Sequence, residues 1–139
     1  MPRKKIIIIE DDLVLLETIQ EILSSEGYEC LALSGTGHVF SKIEAFMPDL
    51  FLIDYMLTDW NGGELSGAIR ELDKFKKTPI ILMSAYVKII SSMDEFGCNA
   101  ILEKPFDINS LSRLIKSLLN EPIRKSGLFP KIKTIIRKR

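Results

Sequence analysis

Hydrophobic positions along the chain alternate between two spacings. Lys5 to Ile9 is a short β-branched run, long enough for a strand buried on both faces. From Leu13 the spacing changes. Leu13, Leu16, Ile19, Ile22 and Leu23 recur at intervals of three and four, with Glu17, Gln20 and Glu21 opposite. That predicts an amphipathic helix, and Gly27 stands just past its end, where a helix-closing glycine belongs. Tyr28 to Leu33 predicts a second, weaker strand, and His38 to Met47 a helix ended by Pro48. Asp49 to Asp54 is a third strand, apolar between flanking carboxylates. After the loop Asn61-Gly62-Gly63, Glu64 to Leu72 reads as a helix. Pro79 to Ser84 is a fourth strand, with proline at the first position, where it is tolerated. A shorter helix is predicted over Lys88 to Phe96, stopped by Gly97. Ala100 to Glu103 is a fifth strand, and Ile108 to Leu119 a last amphipathic helix with Asp107 or Asn109 as its N-cap.

Five strands, each followed by a helix, predict an α/β fold: a five-stranded parallel sheet with helices on both faces. Such sheets bind ligands at the carboxyl ends of their strands.

Composition narrows the classes further. In 139 residues, 46% are hydrophobic and 27% charged, which supplies one domain's core and excludes a disordered chain. The longest apolar run, Ile6 to Ile9, cannot span a bilayer, and no signal peptide opens the chain. Cys30 and Cys98 stand far apart with no CxxC, so neither a zinc site nor a disulfide framework is supported and a cytoplasmic location is expected. The formal charge of zero hides a split. Residues 1–121 carry 12 Lys and Arg against 19 Asp and Glu, whereas residues 122–139 carry seven basic residues and no acid. An acidic domain over 1–121 and a basic tail or linker start over 122–139, too short for a second domain, are expected. In the tail Ile132, Ile135 and Ile136 fall at helical spacing among lysines and arginines. That basic amphipathic segment suits an acidic partner, nucleic acid or an anionic membrane surface; a disordered tail is the plainer reading.

The strand ends carry the chemistry. The first strand ends in Glu10-Asp11-Asp12, the third in Asp54 and the fourth in Ser84, and the fifth runs into Glu103-Lys104-Pro105. Carboxylates gathered at one rim repel one another unless positive charge sits among them. Oxygen ligands with a backbone carbonyl and open water positions suit Mg²⁺ or Mn²⁺. Lys104 adds a fixed ammonium and Ser84 a hydroxyl donor. The set makes a phosphoryl-transfer site with Asp54 as nucleophile. Taken singly, each residue has a plainer reading: Asp54 a solvated strand-end acid, Asp11 and Asp12 helix caps, Ser84 a strand-to-loop residue, Lys104 surface charge.

In this order and spacing, IIIIEDD, DLFLID, ILMSA and LEKPF resemble the receiver domain of two-component response regulators, over about residues 4–120. The resemblance implies a flavodoxin-like, doubly wound (βα)5 fold. It also implies that Asp54 accepts a phosphoryl group from a histidine kinase or phosphotransfer protein. Glu10 and Asp11 match the acidic pair that holds the divalent metal, Asp11 being the preferred direct ligand, and Asp54 and the Met56 carbonyl complete the set. Ser84 matches the switch hydroxyl, and Lys104 the phosphate-pairing lysine that often precedes a cis-proline peptide, here Lys104-Pro105. The implied output face is the fourth helix, fifth strand and fifth helix, including Lys88, Asp94, Arg113 and Lys116. It is open to a downstream protein or to a second copy in a homodimer. No enzyme activity is implied beyond self-phosphorylation and autodephosphorylation.

Four departures from the family pattern stand out. The 13 residues from Ser84 to Gly97 are fewer than the pattern has, so the segment from Tyr86 to Phe96 should be trimmed. Ile101 occupies the place of the switch aromatic. Thr58 replaces a common proline. Met56 and Tyr86 stand where polar side chains help place the hydrolytic water, so a slowly decaying aspartyl phosphate is expected. Lone His38 reads as a surface residue, and Trp60 as a cover for the site or a partner contact. Two other readings compete: a degenerate receiver that only binds protein, and an aspartate-nucleophile phosphatase of the dehalogenase type. The latter wants a second acid where Met56 stands.

Overall fold

The computed structural model describes residues 2–121 and 134–136. Its order is β1 (Lys5–Ile9), α1 (Leu13–Ser25), β2 (Glu29–Leu33), α2 (Val39–Phe46), β3 (Leu50–Asp54), α3 (Gly62–Arg70), β4 (Ile80–Ser84), α4 (Met93–Phe96), β5 (Ala100–Glu103), α5 (Ile108–Leu118) and β6 (Thr134–Ile136). The sheet runs β2-β1-β3-β4-β5-β6. All neighbours through β5 are parallel, and β6 alone is antiparallel to its neighbour. The five expected parallel strands are thus present, with chain reversal in strand order at β1.

Side-chain alternation explains why both faces are covered. Successive residues of a strand point to opposite faces. Ile7, Ile9, Phe51, Ile53, Ile80 and Leu82 therefore pack with Val39 and Ile43 of α2, Leu65 and Ile69 of α3 and Met93 of α4. Ile6, Ile8, Leu50, Leu52, Ile81 and Met83 pack with Leu16, Ile19 and Leu23 of α1 and Leu111, Leu114 and Ile115 of α5. Unbroken apolar runs such as Ile6 to Ile9 are what a strand with two covered faces requires.

The structure corrects four expected elements. His38 does not begin the second helix: it adopts φ 53°, and α2 starts at Val39. The third helix begins early, at Gly62, because the Asn61 side chain accepts from the amides of Gly63 and Glu64 at 2.8 and 3.1 Å. The helix expected over Lys88 to Phe96 is a 3₁₀ stretch, Val87–Ser92, followed by the single turn of α4. Its isoleucines and serines are poor helix formers, and the segment is short, so regular α structure is confined to its end. Gly97, at φ 66°, closes α4 where expected. Finally, Ile135 and Ile136 do not share the face of a helix but lie in β6, paired with Ile101 and Ala100. The rest of the expected basic tail lies outside the described residues.

Small residues on α3 let the α4 segment approach closely. A β-carbon on Gly63 would come within 2.7 Å of the Phe96 ring. Ser66 Oγ donates to the Phe96 carbonyl at 2.6 Å. At the far end of the sheet, Arg70 clasps the carbonyls of Gly97, Phe75 and Thr78 and the side chain of Asn99, all within 2.9 Å. Among the described residues, no helix is long and apolar enough to cross a membrane. Neither Cys98, within the core, nor Cys30, partly covered on β2, forms a disulfide.

Candidate functional site

The carboxyl ends of β1, β3, β4 and β5 meet at one rim, and the acids divide their work there. Asp12 is the N-cap of α1, its Oδ1 accepting from the amides of Val14 and Leu15 at 3.1 and 3.2 Å. Capping thus uses Asp12 and leaves Asp11 free of that duty. Glu10, Asp11 and Asp54 each offer a carboxylate oxygen within 4.8 Å of the others. Glu10 is fully buried and Asp54 nearly so.

Lys104 is the cation of this group. Its Nζ lies 2.5 Å from Glu10 Oε1 and 3.0 Å from Asp54 Oδ1. Its own amide donates to the Ser84 carbonyl at 2.8 Å, which continues the β4–β5 ladder to the rim. The Lys104-Pro105 peptide is cis.

The titration behaviour follows from this geometry. Burial raises the Glu10 carboxyl to about 7 despite the Lys104 hydrogen bond, and the nearby Asp54 charge pushes the same way. Burial alone would lower the Lys104 ammonium, but its bonds to Glu10 and Asp54 carry it above its ordinary value. The Thr58 hydroxyl holds Asp11 below the usual carboxylate range, against a smaller burial penalty. Three carboxylates face one ammonium, and Glu10, the most buried of them, is the one raised. A hard divalent cation bound by oxygen fits this donor set.

The remaining expected residues are placed less directly. Ser84 is buried, in register with Glu103 and one residue beyond Met83, the partner of Asp54. Its hydroxyl is turned to its own loop: Oγ accepts the Tyr86 amide at 2.9 Å and lies 3.3 Å from the Tyr86 carbonyl. Met56 is exposed and forms an antiparallel bridge with Asn61. That bridge closes the loop after β3, together with the Gly62 amide donating to the Tyr55 carbonyl at 2.8 Å. A β-carbon on Gly62 would collide with the Asp54 carbonyl oxygen, so glycine is required at this close approach. Ile101 is a core residue between β4 and β6.

Three contacts in this loop are absent from the sequence reading. Thr58 Oγ1 donates to Asp11 Oδ2 at 2.5 Å. Asp59 Oδ2 accepts from both the amide and the hydroxyl of Thr36 at 2.8 Å, which lowers its carboxyl. Trp60 is half-buried and packs edge-on against Phe40, ring centroids 6.0 Å apart, at the margin of the core. The only advance signal was Thr58 in place of proline, which frees an amide and adds a hydroxyl.

Comparison with known proteins identifies the family and the fold. The family model described as the response regulator receiver domain matches residues 6–116. A probable transcriptional regulator, ycf29, of Porphyra purpurea is 32% identical over 117 residues, covering 82% of the chain and 56% of the relative. The chain thus spans about half the length of such curated relatives. A CheY-like receiver domain protein from Methanospirillum hungatei is 29% identical with a TM-score of 0.78, covering 86% of the chain and 95% of that structure. The response regulator TrrA from Thermotoga maritima, solved in complex with Mg(2+)-BeF, is 28% identical with a TM-score of 0.74, covering 83% and 98%.

Proposed function

The chain belongs to the response regulator receiver domain family of two-component signal transduction, and on that premise we propose that it is a phosphorylation-dependent switch with Asp54 as the acceptor. The observation that carries the reading is the Lys104 ammonium 3.0 Å from a nearly buried Asp54, within the three-acid cluster. An Asp54 oxygen attacks the phosphorus of a phosphohistidine on a histidine kinase or phosphotransfer protein. The P–O bond forms, the P–N bond breaks, and its electron pair leaves with the imidazole. Asp11, Asp54, Glu10 and the Met56 carbonyl would hold Mg²⁺ or Mn²⁺. When bound, that ion supplies positive charge for the phosphoryl oxygens. Lys104 then exchanges part of its carboxylate pairing for the phosphoryl group, which adds about two negative charges.

Ser84 would leave its Tyr86 contacts to donate to the phosphoryl group, drawing the 3₁₀ stretch with it. Such a move shifts a two-state equilibrium already present in the fold. The output face is α4, β5 and α5, read by a downstream protein or a second copy. Because β6 lies along β5, residues 134–136 lie at the edge of this face. An acidic protein, nucleic acid or an anionic membrane surface suits the tail's charge. A cytoplasmic location is proposed with the kinase partnership.

The test is labelling by a small phosphodonor, phosphoramidate or acetyl phosphate, with Mg²⁺. We expect one phosphoryl group on the wild type and none on a folded D54N. Continued labelling of D54N at another residue would refute the assignment. An unlabelled wild type would favour a degenerate, protein-binding receiver instead.

A further inference from the structure

We propose that Thr58 tunes the cation preference of this site toward magnesium over calcium by engaging one of the two Asp11 oxygens and so favouring ligation through the other. The inference rests on the reading of Asp11 as a metal ligand and adds a determinant of which metal is held.

Each of the three clustered carboxylates has one oxygen engaged by a protein donor at 3.0 Å or less. Lys104 takes Glu10 Oε1 and Asp54 Oδ1, and Thr58 takes Asp11 Oδ2. Glu10 Oε2 lies 3.4 Å from the Asp12 amide. A set with one oxygen of each acid already engaged favours ligation through a single oxygen per acid. Small Mg²⁺ demands near-octahedral, single-oxygen ligation and keeps its waters, whereas larger Ca²⁺ readily takes carboxylates through both oxygens. Two-oxygen ligation by Asp11 would make the ion share Oδ2 with the Thr58 hydroxyl, which weakens that mode relative to ligation through Oδ1 alone.

The residues on both sides of Thr58 are anchored. Leu57 is buried, Asp59 is tied twice to Thr36, and Trp60 is packed on Phe40. Thr58 is itself exposed, and an anchored loop presents it to Asp11. A proline at this position would supply no hydroxyl, so the restriction is particular to the residue this chain carries.

The experiment is titration of the full, unphosphorylated chain with magnesium chloride and with calcium chloride by calorimetry. Trp60, the chain's one tryptophan, gives a second signal. Wild type, T58V, T58A, T58S and D11N are compared, with a thermal melt of each. We expect the magnesium-to-calcium affinity ratio to fall about fivefold in T58V and T58A, the worth of one ordinary hydrogen bond, and to be kept in T58S. An unchanged ratio in both hydroxyl-less variants, while D11N still weakens Mg²⁺, overturns the role of Thr58 and leaves the metal reading standing. Equal weakening of both ions by T58V has the same consequence. If D11N binds Mg²⁺ as well as wild type does, both readings fall.

Discussion

Lys104 reaches Glu10 across the intervening ends of β3 and β4, since β1 and β5 are not neighbours in the sheet. One ammonium thereby serves two buried carboxylates from opposite sides of the rim. Removing it leaves both acids without their cation. K104M should lose phosphodonor labelling and about 2 kcal/mol of stability in metal-free buffer, less than for a fully enclosed pair because the lysine side chain is 23% exposed. Denaturant unfolding checks the second point, with Mg²⁺ expected to restore more stability to K104M than to wild type.

The raised Glu10 carboxyl gives a pH dependence with a definite sign. From the ordinary value of 4.5 up to about 7, the metal-free folded chain keeps a proton that the unfolded chain has released. Stability therefore falls as pH rises across that window, by at most about 1.4 kcal/mol per pH unit. E10Q, which cannot ionise, should flatten the profile between those limits when urea midpoints are measured at half-unit steps. A profile of equal slope in E10Q would assign the effect to another group.

The loop after β3 depends on glycine for a steric reason. G62A places a methyl group against the Asp54 carbonyl, which is backbone and cannot turn aside. It should cost about 2 kcal/mol or more and displace the acceptor. On the same helix, a β-carbon on Gly67 meets only the Glu95 carbonyl at 3.4 Å, so G67A should be neutral or slightly stabilising. Paired thermal melts and labelling of the two variants test the contrast.

How much of this was legible beforehand depended on the range of the interactions. β1, β3, β4, β5, α1 and α5 follow from hydrophobic spacing, because two-sided burial writes itself into runs such as Ile6 to Ile9. The convergence of Glu10, Asp54 and Lys104 was legible too, since a parallel sheet gathers its strand ends at one rim. The Thr58–Asp11 bond was not, for it joins residues 47 apart through an irregular loop. The helix expected over Lys88 to Phe96 failed because a few apolar residues in a short segment suit a 3₁₀ stretch as well as an α-helix. β6 was hidden for a related reason: three residues carry no reliable period, and their pairing is set by the open edge of β5.

Hydrolysis of the acyl phosphate offers a kinetic test of the residues flanking the site. Met56 and Tyr86 are both more than half exposed, and neither is a small polar group suited to hold an attacking water. The aspartyl phosphate should persist for minutes or longer at neutral pH, and M56N should shorten its life severalfold. Loss of the label from wild type within seconds would contradict this.

The sixth strand can be tested without shortening the chain. β6 lies antiparallel on β5 with Thr134 opposite Leu102, Ile135 opposite Ile101 and Ile136 opposite Ala100. An edge strand otherwise presents unpaired amides and carbonyls that recruit other chains. Proline at the middle position of β6 removes a donor and disfavours pairing while preserving the tail's length and charge. In I135P, amide exchange over residues 100–102 should accelerate while β1 and β3 stay protected. Self-association at high concentration should rise if the exposed edge is the site of contact, and remain unchanged if α4 and α5 already shield it. Exchange at residues 100–102 identical to wild type would mean that β5 does not rely on β6 in solution.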